Sequence, residues 1–121
     1  MIKRCLLATF WSAVLLLGWS GYAAAHSNLH HSDPAANSTV TPPPVVQLWF
    51  NKPLEASFSK VSVVDGQGQA VDKGDGAVKG ANAKLLEVSL PTLAAGTYKV
   101  LWSIVATDGH KGKGEYSFTV K

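Results

Sequence analysis

Tyr98, Val100, Trp102, Ile104 and Ala106 place apolar side chains on every second position of one segment. A two-residue period sustained this long is the mark of a half-buried strand, since a helix repeats its face every 3.6 residues. The same alternation recurs at Val46, Leu48 and Phe50, at Val61 and Val63, at Leu86, Val88 and Leu90, and at Tyr116, Phe118 and Val120. No segment of residues 26–121 carries a sustained helical period with caps.

Turn chemistry separates the strands: Asp65-Gly66-Gln67-Gly68, Asp72-Lys73-Gly74-Asp75-Gly76, Ala95-Gly96 and Gly112-Lys113-Gly114. The alanine-rich stretch Ala77–Ala83, broken by Gly80 and Asn82, reads as loop. Five or six strands plus a short N-terminal one predict an all-β domain of about seven strands, a small two-sheet Greek-key sandwich or barrel. No internal repeat or low-complexity tail is present.

The first 25 residues belong to a different kind of segment. Lys3 and Arg4 precede an apolar run from Cys5 to Trp19, and the stretch ends on Ala23-Ala24-Ala25. A basic start, a short apolar run and small residues at −3 and −1 predict a secretory signal peptide over 1–25. A retained membrane anchor is the alternative, but the run is shorter than the roughly 20 residues of a span. The expected mature domain, 26–121, has 96 residues, and no membrane span is expected after processing.

Composition of that domain excludes several classes. The formal charge of +3 falls to +1, nine lysines against eight acids, and no arginine remains, so no basic face for nucleic acid survives. Cys5 and Met1 are the only residues of their types. Disulfides, thiolate metal sites and thioether ligands are therefore excluded from 26–121. Cys5 lies away from the cleavage junction, which argues against a lipid anchor.

The polar residues that stand out are His26, His30, His31 and the run Asp108-Gly109-His110. Cleavage after Ala25 makes His26 the first residue, offering an α-amine and an imidazole to one metal ion. Residues i and i+2 of an extended strand share a face, so Asp108 and His110 add one oxygen and one nitrogen. Three nitrogens and one oxygen suit a tetragonal Cu(II) ion better than the softer donors that favour Cu(I). Taken alone, Asp-Gly-His is equally a turn whose aspartate caps backbone N–H groups. Cleavage after Ala23 would instead start the chain Ala24-Ala25-His26 and saturate the copper plane with amine, two amides and one ring. Leu29 should face inward and His30 outward, and either His30 or His31 assists copper capture or is a surface residue.

These residues resemble a known family. The start His26-Ser-Asn-Leu-His-His-Ser-Asp-Pro-Ala resembles the mature N-terminus of CopC-type copper-binding proteins. Pro44-Val-Val-Gln-Leu-Trp-Phe-Asn-Lys-Pro-Leu-Glu resembles their second strand, and Gly96 through Val120 resembles their C-terminal signature. The resemblance implies a Greek-key sandwich of immunoglobulin-like or cupredoxin-like type in the bacterial periplasm. It also implies one Cu(II) per chain held by His26, Asp108 and His110, and no catalysis. Two departures stand out: no methionine is available for the Cu(I) site of some members, and Lys52 stands where some carry an acid near Cu(II).

The leading function is periplasmic Cu(II) binding, for storage or delivery in copper resistance or uptake. Its partners would be an inner-membrane copper transporter or a multicopper oxidase. A small histidine-brace copper oxidative enzyme is one alternative; 96 residues leave it little substrate platform. A metal-free structural β-sandwich is the other.

Overall fold

The computed structural model describes residues 29–121, which form eight strands. In chain order these are β1 (Leu29–Asp33), β2 (Thr39–Val40), β3 (Val45–Phe50), β4 (Lys60–Val64), β5 (Ala77–Lys79), β6 (Leu85–Ser89), β7 (Gly96–Val105) and β8 (Lys111–Val120). They divide into two four-stranded sheets, ordered β1-β3-β6-β5 and β2-β8-β7-β4. All pairings are antiparallel except β2 with β8, which is parallel. The all-β two-sheet class expected from the alternation is the one observed. Among the described residues no helix is long and apolar enough to cross a membrane.

The alternating apolar residues become the core. Val46, Leu48 and Phe50 face Leu86 and Val88 on one sheet's inner side, against Val61, Val63, Val100, Trp102, Ile104, Tyr116 and Phe118 on the other; each is at most 8% exposed. Phe50 meets Trp102 edge-on at 5.1 Å between centroids, joining the two sheets. Tyr98 and Phe118 stack at 5.9 Å within the second sheet. Aromatic contacts of this kind add to area burial and give the small core its shape.

Two local expectations are corrected. Ala77–Lys79 is strand β5, hydrogen-bonded to Leu85–Glu87 at the edge of the first sheet. With one partner strand and only three residues, it has no long alternation to betray it. Gly112-Lys113-Gly114 is not a turn but lies inside β8, where Gly112 pairs with Ile104 and Gly114 with Trp102. Glycine is poor in strands by propensity, yet here it stands opposite two bulky inward residues. The true turn comes earlier, at Ala106–His110.

Two connections converge at one end of the sandwich. The segment leaving β3 runs Asn51 to Ser59 and bonds along the end of β7: Leu54 bridges Ala106, and Glu55 N–H donates to Val105 O at 2.8 Å. Thr107 N–H donates to Pro53 O at 3.0 Å. These bonds hold Lys52 beside the β7–β8 turn. At the same end, Leu29 opens β1 as the partner of Phe50, two residues before Lys52.

Candidate metal centre

The β7–β8 connection is a five-residue hairpin loop. Ala106 N–H donates to His110 O and Gly109 N–H to Ala106 O, both at 2.8 Å. Gly109 has φ +94°, a left-handed conformation that glycine adopts without penalty. Asp108 and His110 therefore do not lie on an extended strand, as their i, i+2 spacing suggested. The turn itself brings them together: Asp108 Oδ1 accepts the His110 backbone N–H at 3.0 Å, an Asx-type bond.

The same oxygen lies 3.0 Å from His110 Nδ1. With the ring proton on Nδ1, the carboxylate orients the imidazole and leaves the Nε2 lone pair free for a metal. His110 is 69% exposed and Asp108 46% by side chain, so both are open to an incoming ion. Asp108 Oδ2 accepts from Lys52 Nζ at 2.9 Å, and Nζ is also 3.4 Å from His110 Nδ1. The Lys52 ammonium first, then the His110 backbone N–H and ring, hold the Asp108 carboxyl well below the usual carboxylate range. It stays a carboxylate well into the acid range.

Of the expected ligands, the structure brings Asp108 and His110 into contact, while His26 lies outside the described residues. His30 and His31 are both exposed. The β1–β3 register shifts between Leu29 and His31, so β1 is irregular there and the two histidines do not simply alternate. His31 packs on Trp49 with ring centroids 4.9 Å apart and planes tilted by 43°. His30 lines a shallow hollow with Trp49, Asn51, Asn82 and Lys84. Among the described residues no cluster of three or more His, Cys, Asp or Glu side chains has metal-binding geometry. Two donors on a turn make half of a site.

Lys52 is the neighbour of this pair that local spacing does not reveal. It stands 56 residues from Asp108 in the chain. Only the pairing of β3 with β1 and β6, and the bonds from Pro53 and Glu55 to the end of β7, carry it there.

Comparison with known proteins gives this arrangement a context. The family model of the CopC domain matches residues 29–121, all of the described chain. Protein YobA of Escherichia coli K12 is 37% identical over 99 residues, covering 80% of each chain. The crystal structure of CopC from Methylosinus trichosporium OB3b superposes with a TM-score of 0.69 at 33% identity, covering 79% of this chain and 94% of that one. PcoC, a methionine-rich copper resistance protein from Escherichia coli, gives the same TM-score of 0.69 at 34% identity, covering 78% and 97%. The fold is thus shared along nearly the full length of these two solved relatives, and the chain belongs to the CopC family of copper resistance proteins.

Proposed function

We propose that the protein binds one Cu(II) ion per chain through the α-amine and ring of His26, Asp108 and His110, and that it stores or delivers copper in the bacterial periplasm. The observation that carries the reading is the convergence at one end of the sandwich. Asp108 and His110 stand together on the β7–β8 turn, Lys52 touches both, and β1 opens at Leu29 opposite Phe50. His26 is three residues upstream of Leu29, and three residues span at most about 11 Å. A tether of that length suits an N-terminal ligand that closes over the turn.

The donor set supports Cu(II) rather than Cu(I). Nitrogen and carboxylate oxygen favour the harder, tetragonal ion, and residues 26–121 hold no sulfur donor. Donors as exposed as His110 and Asp108 suit an ion that must be handed on. Transfer partners of the expected kind are an inner-membrane copper transporter or a multicopper oxidase.

The test is a Cu(II) titration of exported protein whose N-terminus has been verified by mass. Asp108→Ala and His110→Ala should each weaken binding by at least about tenfold, as lost ligands or orienting partners do. His30→Ala and His31→Ala should change it little. Equal losses across all four would place the copper on the N-terminal cluster and reject the turn as its site.

A further inference from the structure

Both oxygens of the Asp108 carboxylate have partners within the protein. Oδ1 serves the His110 backbone and ring, and Oδ2 serves Lys52 Nζ at 2.9 Å. An ion bound through Nε2 of His110 and a carboxylate oxygen of Asp108 must compete with that ammonium for the same lone pairs. Oδ2 is the oxygen to contest, because Oδ1 is held by the turn that defines the site. Lys52 is 42% exposed by side chain, so its ammonium can swing into water without breaking the core.

We propose that Lys52 is the resident counter-ion of the copper site: it neutralises Asp108 when the protein is empty, is displaced when Cu(II) arrives, and returns to help expel the ion. The inference rests on the reading of Asp108 and His110 as the copper-binding turn and deepens it. Two like-signed charges cannot share one carboxylate in close contact without cost, even where solvent screens them. Lys52 therefore lowers copper affinity and speeds release, the behaviour expected of a protein that hands its ion on.

The experiment compares Lys52→Gln, Lys52→Met and Lys52→Arg with the parent chain in the full exported protein, each with a verified N-terminus. Cu(II) affinity is read by competition with a chromophoric chelator, and release by stopped-flow transfer to that chelator. Lys52→Gln and Lys52→Met should bind Cu(II) about three- to tenfold more tightly and release it correspondingly more slowly. Lys52→Arg, which restores the cation, should stay near the parent. The advantage of Lys52→Gln should narrow as salt rises from about 0.02 to 0.5 M, since an exposed charge is screened. It should also shrink in an Asp108→Asn background, where the contested charge is gone.

Unchanged or weaker affinity in Lys52→Gln and Lys52→Met, in protein where Asp108→Ala and His110→Ala still lose copper, overturns the counter-ion role and leaves Lys52 as a brace for the turn. Full copper binding in Asp108→Ala and His110→Ala rejects the site itself, a different failure. Melting temperatures of all variants separate either outcome from misfolding.

Discussion

The hydroxyl of Tyr116 donates to the carbonyl oxygen of Pro34 at 2.8 Å, joining residues 82 apart in the chain. Pro34 is fully buried and Tyr116 nearly so. Burial pushes the Tyr116 phenol up to about 12, and the nearby Asp33 charge acts in the same direction. The group is neutral in the fold and ionises more easily once unfolded. Its contribution is complete below about pH 10 and is lost as pH rises toward 12. Tyr116→Phe should cost about 1 kcal/mol at pH 7, the usual worth of one hydrogen bond. It should also flatten the fall in urea midpoint between about pH 10 and 12, a range in which the parent loses stability.

Leu48 sits in the middle of β3 with no exposed surface, flanked by β1 and β6. Leu48→Ala should lower the unfolding free energy by about 2–5 kcal/mol, from lost burial and the cavity left behind. Phe58, 64% exposed on the 3₁₀ turn Ala56–Phe58, is the contrasting case. Phe58→Ala should stay within about 0.5 kcal/mol of the parent in the same urea titrations.

Gly109 tests the turn without touching a donor. A Cβ there would meet nothing within 4 Å, so crowding is not the obstacle; the φ of +94° is. Gly109→Ala should destabilise the protein by about 1–3 kcal/mol and weaken Cu(II) binding, because the loop relaxes away from the Asp108–His110 contact. Gly109→Asn, which tolerates positive φ better, should recover part of both. Identical effects of Ala and Asn would show that the backbone conformation does not matter there.

No methionine or cysteine follows Cys5 in the chain. The protein should therefore lack a tight Cu(I) site; its relative PcoC, by contrast, is methionine-rich. Competition with a Cu(I)-specific chelating dye checks this, and stoichiometric retention of Cu(I) by the protein would contradict it.

On the proposed site, the N-terminal residue would decide which ligands are needed. In protein begun at Ala24, the run Ala24-Ala25-His26 offers an amine, two amides and a ring that fill a square plane. Copper should then bind with the same stoichiometry, but Asp108→Ala and His110→Ala should no longer weaken it. In protein begun at His26 they should. Paired titrations of the two forms make the contrast.

Most of the core could be read directly from the chain. Burial in the structure follows the alternating residues of β3, β4, β6, β7 and β8 position by position, because a strand covered on one side forces a period of two. β5 and β2 could not be read, since three- and two-residue strands at sheet edges need no pattern of their own. Gly112 and Gly114 misled for a different reason: glycine signals turns by backbone freedom, but cross-strand partners as large as Ile104 and Trp102 hold it extended. At the candidate site, Asp108 and His110 were visible as a pair, although the turn rather than strand geometry joins them. Lys52 was visible only as an unexpected residue after β3, because its contact with Asp108 depends on how the two sheets close.

The chain's first strand belongs to one sheet and its second to the other: β1 pairs with β3, while β2 runs parallel to the end of β8. The described chain thus crosses between the sheets at once, and β2 pairs with a strand far along it, Thr39 with Thr119 and Val40 with Val120. Such far-separated pairings cost the most loop-closure entropy and are satisfied late in assembly. β2 therefore stays unpaired until β8 is in place. A chain cut within β8 would leave β2 without a partner and the second sheet open along that edge.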